Sequence, residues 1–409
     1  MARQAQDVRD ATTPVPALRM TATVEIGLER ALRDPPARLR ASRAFGLLSN
    51  QASVTARFVH AAEALQARFP NALRKLFGPQ HGIWSTEQDN MVETAHGSHR
   101  GLPVFSLYSE TRAPTREMLD GLDLLVVDLQ DVGTRVYTYA WTLTSCMQAC
   151  AANGVAVLVL DRPNPLGGVI AEGAQLDLNF ASFVGRASIP MRHGLTLAEL
   201  AVHCNEALAI GCELHTLKMR GWRREMLWRD CGRAWVPPSP NLPRAAACAV
   251  YPGQVLLEGT NLSEGRGTTT PFEQCGAPWL DPEQLRATLD EVPGAALRPV
   301  TFRPTFQKFR DEPCRGLYVH VVEPLMLRAY AMTLRLLRAI REQHGPKLRW
   351  KNPPYEYEDQ LLPIDILSGG EAARRWVDGD GDEAALAAIA AQPEGWWSAA
   401  RPSMLYPRP

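Results

Sequence analysis

The chain has 409 residues, which is more than one ordinary core accommodates and suits two domains. Lys plus Arg total 44 and Asp plus Glu total 44, so the formal net charge is zero and predicts no nucleic-acid or membrane partner. The apolar fraction of 45% is ordinary for a globular protein, and no apolar run reaches the length of a membrane span.

The N-terminal segment and the cysteines together favour a cytoplasmic location. Residues 1–22 are polar and lack the apolar stretch of a secretory signal, so we expect a mobile tail there. The eight cysteines are scattered, and the closest pair, Cys146 and Cys150, has helical spacing. Buried reduced thiols are therefore expected instead of a disulfide framework.

Short apolar runs alternate with helical patterns in the first half of the chain. The runs predict strands at 44–49, 73–77, 103–108, 122–129 and 155–160. The helical patterns lie at 57–69, 115–119, 137–152 and 196–208. Nearly continuous apolar runs are typical of central parallel strands. Strands separated by helices predict an α/β fold with a doubly wound, mostly parallel sheet.

The pattern changes after about residue 236, where prolines, glycines and tryptophans separate shorter elements. Residues 235–244 are a plausible bridge between domains, and 327–340 has the apolar face of a buried helix. An Ala-rich helix is predicted at 383–391, with Asp382 as its N-cap. We therefore expect one domain at 23–236 and a smaller one at 237–409.

In doubly wound sheets the ligand lies outside the carboxyl ends of the strands. The segments that follow the predicted strand ends are 50–55, 78–93, 130–139 and 161–168. The long 78–93 loop contains His81, and its carboxylates, Glu87 and Glu93 among them, suit proton transfer. The alternative is that these are ordinary solvated loop carboxylates.

Two further strand ends carry charged residues. Asp128 is embedded in an apolar run, where a carboxylate is costly unless it is paired or functional. A structural pair of Asp128 with Arg135 is as good an explanation as a catalytic role. At the next strand end, Arg162 is placed to bind an anion or to pair with Asp161.

The segment 251–279 is dense in side chains that bind sugars, and Arg266 in its glycine-flanked loop suits a ligand carboxylate. The alternative is a glycine-rich loop held by its own hydrogen bonds. Thr196 and Glu199 form a capping-box pattern, which makes Glu199 structural. No dinucleotide fingerprint and no His-Glu-x-x-His motif occurs, so we expect neither a cofactor nor a metal.

Nine short motifs occur in an order that is specific although each motif alone is weak. They are PQHG at 79–82, VE at 92–93, GLPVFSLY at 101–108, DLQDVG at 128–133, DRPNP at 161–165, RHG at 192–194, SPNLP at 239–243, EGTNLSEGRGTT at 258–269 and PPYEYE at 353–358. Over residues 40–370 the chain thereby resembles the exo-β-N-acetylmuramidase family.

The resemblance implies a Rossmann-like catalytic domain, an auxiliary α+β C-terminal domain, and a cleft to which both contribute. It implies an exo-acting glycoside hydrolase that releases N-acetylmuramic acid from the non-reducing end of peptidoglycan fragments, in cell-wall turnover and recycling. The expected partner is thus a small saccharide. Two residues depart from the family pattern, since Gln80 replaces a Glu and Trp84 replaces an Arg.

The resemblance also assigns roles to residues. Glu93 matches a family Glu and is the expected general acid/base, and Asp128 or Asp131 is expected to stabilise the anomeric centre or to orient the 2-acetamido group. The expected substrate-binding residues are Asn50, Gln80, His81, Arg135, Tyr137, Tyr139, Arg162, Asn164, His193, Asn241, Asn261, Glu264 and Arg266.

Two alternatives stay open at this point. One is a non-catalytic muropeptide- or sugar-binding protein of the same fold, in which Gln80 marks lost chemistry. The other is a nucleotide-sugar enzyme, against which the missing glycine fingerprint counts.

Overall fold

The computed structural model describes residues 24–89 and 91–408. The tail predicted for residues 1–22 lies outside the described residues. The strands of the described chain are β1 Phe45–Ser49, β2 Leu73–Gly78, β3 Gly97–His99, β4 Leu102–Ser106, β5 Leu124–Asp128, β6 Ala156–Leu160, β7 Glu172–Gln175, β8 Pro190–Arg192, β9 Leu214–Leu217, β10 Gln274–Ala277, β11 Ala295–Phe302 and β12 Cys314–Val321.

The α-helices follow the same chain order. They are α1 Gly27–Arg33, α2 Ala37–Ala41, α3 Ala61–Arg68, α4 Arg116–Leu119, α5 Tyr139–Ala152, α6 Leu197–Ala207, α7 Ala245–Gln254, α8 Pro282–Leu289, α9 Ala329–His344, α10 Pro363–Ser368, α11 Ala372–Val377, α12 Glu383–Ala390 and α13 Trp396–Ala400. No helix among the described residues is long and apolar enough to cross a membrane.

A seven-stranded sheet in the order β3-β4-β2-β1-β5-β6-β9 forms the centre of the first domain. Its neighbouring strands are parallel except for the edge pair of β3 and β4. This confirms the predicted doubly wound sheet. Because β1 lies between β2 and β5, the strand order reverses at β1, and the loops after these strands meet at one edge.

Both faces of this sheet are buried, and successive residues of a strand alternate between two separate cores. In β5, Leu124 and Val126 belong to the core with α1 and α3. Leu125 and Val127 belong to the larger core, which α5 and α6 help to form. This alternation explains why the strand is almost purely apolar in sequence.

A smaller α+β domain follows, as predicted. Its three-stranded antiparallel sheet has the order β10-β12-β11, and α7 packs closely on α9. The larger core continues without a break from the first sheet into this domain, and includes Leu257 and Leu337. The division at residue 236 remains a prediction.

The predicted helix caps and cysteine states are confirmed, but one predicted helix start is wrong. The capping box of Thr196 and Glu199 at α6 and the Asp382 cap of α12 are confirmed. All eight cysteines are free and buried, as expected. The predicted helix at 57–69 is wrong over its first four residues, because Phe58 has a φ of +60° and the helix begins only after His60, its N-cap.

Candidate active site

A pocket lies where the loop after β2 meets the start of α5 and three segments of the second domain. Its lining is mainly aromatic, polar and charged. The residues that line it are Gln80, His81, Val136, Tyr137, Thr138, Val184, Ser239, Asn241, Leu242, Tyr251, Glu258, Arg266, Phe272, Tyr355 and Glu356. Five of the predicted binding residues, Gln80, His81, Tyr137, Asn241 and Arg266, thus come together.

Glu356 is a buried carboxyl group in this pocket. The Tyr108 hydroxyl donates to one of its oxygens at 2.8 Å, and the Gln80 amide donates to the other at 3.3 Å. Burial raises the pKa of Glu356 to about 7, although both hydrogen bonds favour the ionised form. A carboxyl group with this pKa exchanges a proton readily near neutral pH.

Gln80 holds Glu356 in a fixed orientation. Its amide oxygen accepts a hydrogen bond from the Thr138 hydroxyl at 2.7 Å, which leaves the amide nitrogen to donate to Glu356. The side chain is therefore a neutral bridge between the start of α5 and the second domain. The replacement of a family Glu by Gln80 does not deprive the pocket of a protonatable carboxyl group, because Glu356 supplies one.

A charged network lies beside Glu356. The Arg266 guanidinium contacts Glu258 at 2.6 Å and Glu264 at 3.1 Å, and Lys308 contacts Glu264 at 3.0 Å. Tyr355 donates to the second oxygen of Glu258 at 2.7 Å. Two cations therefore face two carboxylates, so Arg266 lies in the pocket but is already paired.

His81 is another buried residue of the pocket lining. Its Nδ1 lies 2.7 Å from the Glu87 carbonyl oxygen and its Nε2 lies 3.3 Å from the Ser239 hydroxyl. Burial and the nearby Arg266 lower the pKa of His81 to about 4, so the ring is neutral at pH 7. The φ of +69° at His81 shows a strained backbone, which is typical of functional sites.

Asp131 has an oxygen without a hydrogen-bond partner among the described residues, and the nearby Tyr137 hydroxyl interacts with Tyr139. The other Asp131 oxygen accepts from the Gly133 backbone N–H at 2.7 Å and lies 3.7 Å from the His193 ring. Burial raises the pKa of Asp131 to about 7. Tyr137 lines the pocket, whereas Asp131 is buried and lies outside its lining.

Both carboxylate oxygens of Asp128 are bound by Arg162. The guanidinium donates to both carboxylate oxygens, at 2.6 and 2.8 Å, in a bidentate pair with both side chains buried. The proposed structural pairs of Asp128 with Arg135 and of Arg162 with Asp161 are therefore wrong. Neither Asp128 nor Arg162 lines the pocket that contains Glu356.

Several other predicted residues hold backbone segments in place. Arg135 donates to the carbonyls of Ala174, Ile189 and Leu367. Asn50 donates to the Pro238 carbonyl and to the Tyr139 hydroxyl, which itself donates to the Pro238 carbonyl. Asn164 donates to the Leu195 carbonyl, Asn261 donates to the Lys347 carbonyl, and the His193 ring accepts the Leu195 N–H. None of these side chains lines the pocket.

Glu93 lies on the loop after β2 and does not line the pocket. Its side chain is 56% exposed and pairs with Arg112 at 3.3 Å. Arg112 stacks over the Tyr357 ring at 3.7 Å, and the Met91 sulfur of the same loop accepts the Glu356 backbone N–H at 3.3 Å. The predicted acid is therefore near the pocket but outside its lining.

Sequence reasoning missed Glu356, Tyr355 and Tyr108 as site residues. Two signals were present, because Glu356 lies in the PPYEYE motif and Tyr108 ends the GLPVFSLY motif. Glu356 also has a φ of +46°. Their meaning depends on the pairing of two distant segments, which no local pattern reveals.

Comparisons with known proteins agree in the family they indicate. The family described as "Exo-beta-N-acetylmuramidase NamZ, N-terminal" matches residues 45–246, and its C-terminal counterpart matches residues 249–406. The peptidoglycan beta-N-acetylmuramidase NamZ of Bacillus subtilis (strain 168) is 40% identical over 322 residues, or 78% of each chain.

Two solved structures of DUF1343 family proteins from Bacteroides fragilis have the same fold. One has a TM-score of 0.83 and 28% identity, and covers 94% of this chain and 100% of its own. The second has a TM-score of 0.70 and 26% identity, and covers 94% of this chain and 99% of its own.

Proposed function

This chain belongs to the NamZ family of exo-β-N-acetylmuramidases, and we propose that the pocket around Glu356 is where it cleaves its substrate. The enzyme is an exo-acting glycosidase that releases N-acetylmuramic acid from the non-reducing end of peptidoglycan fragments. The observation that carries the assignment of the site is the buried Glu356 carboxyl, whose pKa burial raises to about 7.

Glu356 serves as the proton donor in this proposal. Its proton passes to the glycosidic oxygen while the bond from that oxygen to the anomeric carbon breaks, and the electron pair leaves with the departing sugar. The resulting carboxylate then accepts a proton from the water that completes hydrolysis. Gln80 and Tyr108 hold the carboxyl in place through both stages.

Asp131 is the better of the two proposed assisting carboxylates. Asp128 has both oxygens bound by Arg162, whereas one Asp131 oxygen has no partner among the described residues. The 2-acetamido group of the sugar can attack the anomeric carbon if its N–H is held by a carboxylate. We therefore assign this role to Asp131, which lies close to Tyr137 of the pocket lining.

Glu93 remains the second candidate for the acid. Its loop contacts Glu356 through Met91, and a movement of this loop toward the pocket brings Glu93 closer. The exposed position and the Arg112 pair make it the weaker candidate in the present geometry.

Matched Glu→Gln variants distinguish the two carboxylates. We expect Glu356→Gln to lower kcat on the disaccharide of N-acetylmuramic acid and N-acetylglucosamine by about 10²- to 10⁴-fold, the usual contribution of a general acid. Glu93→Gln is expected to retain most of the turnover. The opposite ranking of the two variants transfers the role to Glu93.

We also propose that the enzyme acts in the cytoplasm, during cell-wall recycling. The domain boundary proposed near residue 236 would place the substrate in a cleft between the two domains. Eight buried, unpaired cysteines support a reducing compartment. Fractionation of cells that express the native gene tests this, since recovery of the protein outside the cytoplasm contradicts it.

A further inference from the structure

A wide groove on the second domain adjoins the pocket that contains Glu356. It is open to solvent and holds about 940 Å³ of space that water can enter. Residues of β11 and β12 line it, together with residues of the segments 240–243 and 267–271. Binding sites for drug-sized ligands usually measure about 300–1,000 Å³, so the groove has room for a ligand of several rings.

The groove and the pocket share two chain segments as walls. In one segment, Leu242 lines the pocket, Pro243 lines the groove and Asn241 lines both. In the other, Arg266 lines the pocket and the adjacent Gly267 lines the groove. The groove therefore begins beside the pocket at Asn241, and a ligand that extends past this residue enters it.

Asn241 is fixed at this junction. Its side-chain amide donates to the Gln88 carbonyl on the loop after β2, and its backbone N–H donates to the Ser239 hydroxyl at 3.4 Å. The residue is 4% exposed. The passage from the pocket to the groove is thus preorganised by contacts between the two domains.

The groove lining carries positive charge and no negative charge. Arg298 and Arg303 both line it, and no Asp or Glu is among its described lining residues. The exposed Arg303 side chain has no ion-pair partner within residues 24–89 and 91–408. Arg298 donates to the His320 ring at 3.0 Å, so it is not paired with a carboxylate either.

A carboxylate that contacts the lining is already neutralised by another cation. Glu273 accepts a hydrogen bond from the lining residue Tyr318 at 3.1 Å, and Arg244 donates to both of its oxygens. Glu273 therefore does not balance the charge of Arg298 and Arg303. An anionic ligand gains two counter-ions in this groove, whereas a neutral ligand gains none.

Aromatic rings and a hydroxyl complete the lining. Phe306 and Tyr318 are partly exposed, and the Arg298 guanidinium lies over the Tyr318 ring at 5.3 Å. Thr269 is exposed on the segment 267–271. Ring faces, a hydroxyl and guanidinium groups together suit a sugar that bears a carboxylate.

We propose that the groove binds the muramic acid residue of the departing fragment by its lactyl carboxylate, an inference that rests on the function proposed above. The glycan of peptidoglycan alternates neutral N-acetylglucosamine with anionic N-acetylmuramic acid. When the terminal muramic acid occupies the pocket, the N-acetylglucosamine lies at the junction beside Asn241 and the next muramic acid lies in the groove. Arg298 and Arg303 are the counter-ions of its carboxylate.

Calorimetric titration of the full-length protein tests this with the departing disaccharide, in which N-acetylglucosamine is linked to N-acetylmuramic acid. The neutral probe is N,N′-diacetylchitobiose, which differs from it only by the missing lactyl group. We expect the anionic disaccharide to bind about three- to tenfold tighter, as for one or two partly exposed ion pairs. Equal affinities, or no measurable binding of either disaccharide, overturn the proposal.

Substitutions at exposed arginines locate the effect. The double variant Arg298→Gln, Arg303→Gln should abolish the advantage of the anionic disaccharide over chitobiose. Arg310→Gln is the control, because Arg310 is exposed, pairs with Asp311 at 3.2 Å and lies outside the groove lining. It should keep the full advantage. An advantage that survives the double variant, or that is lost in the control, overturns the proposal.

Binding of the departing disaccharide requires no catalysis, so this test is independent of the role of Glu356. If Glu356→Gln keeps full turnover, the assignment of the catalytic site fails while the affinities still decide the role of the groove. If Glu356→Gln is slow but the two disaccharides bind equally, only the role of the groove is contradicted.

Discussion

Two opposing effects decide the protonation of Glu356. Burial and the nearby Glu258 carboxylate favour the neutral acid, whereas the hydrogen bonds from Tyr108 and Gln80 and the charge of Arg266 favour the carboxylate. Burial is the larger effect, so the pKa of Glu356 lies near 7 and the carboxyl can both give and accept a proton at physiological pH.

The first prediction concerns the pH dependence of turnover. Since only protonated Glu356 can donate, kcat on the disaccharide should be high below pH 7 and fall as the pH rises through the pKa of about 7. Steady-state rates between pH 5 and 9 measure this. A kcat that stays flat from pH 6 to 9 is incompatible with the assignment.

The second prediction concerns Gln80. In Gln80→Glu a second carboxyl group lies against Glu356, and two adjacent carboxylates resist ionising together. The alkaline fall of kcat should therefore move upward by about one pH unit or more. Gln88→Glu, the same change at an exposed residue of the same loop, is the control and should leave the profile unmoved.

At the scale of single residues, the sequence predicted part of the pocket lining. Gln80, His81 and Tyr137 follow strand ends, and strand ends meet at one edge of a parallel sheet. Glu356 comes from a distant segment of the second domain, and its burial results from packing against Tyr108. Burial of a carboxyl group cannot be read from its neighbours in sequence.

At the scale of elements, α6 illustrates a helix start with two functions. Glu199 accepts the Thr196 backbone N–H at 3.0 Å within the capping box, and it is also the partner of the fully buried Arg224. The same carboxylate accepts the Leu405 backbone N–H at 2.8 Å. The capping-box pattern identified the first contact, but the other two join segments far apart in the chain.

The third prediction separates these functions. Glu199→Ala leaves the Arg224 guanidinium buried without its partner, so we expect it to lower the free energy of unfolding by about 3–5 kcal/mol. Thr196→Ala removes the cap and a side-chain hydrogen bond to Asp161 and should cost about 1–2 kcal/mol. Urea unfolding curves measure both, and equal effects of the two variants contradict the dominance of the buried pair.

The elements themselves were predictable where burial imposes a strong pattern. β1, β5 and β6 lie at the centre of the sheet and are buried on both faces, so their apolar runs stand out. β9 was missed because it is short and most of its residues are half-buried, which weakens the signal.

At the scale of the whole molecule, one core continues from the first sheet into the second domain. Helices α7 and α9 approach each other closely in that core, since a Cβ atom at Gly253 would collide with the Ala329 carbonyl. Because the second domain supplies Glu356 and Arg266 to the pocket, this packing also determines the shape of the site.

The fourth prediction tests that close approach. Gly253→Ala should force the two helices apart and destabilise the protein by about 3 kcal/mol. Gly97→Ala, where an added Cβ atom meets no neighbour within 4 Å, is the matched control and should change stability by less than about 0.5 kcal/mol. Thermal unfolding of both variants decides the matter, and equal melting temperatures contradict the packing argument.

The most direct test of the central claim is the dependence of the Glu356→Gln defect on the leaving group. A missing general acid matters when the leaving group is a sugar alkoxide and matters little when it is 4-nitrophenolate, which departs without a proton. The account predicts a much larger loss of kcat/KM on the disaccharide than on the 4-nitrophenyl glycoside of N-acetylmuramic acid. Equal losses on both substrates, or no loss on either, contradict it.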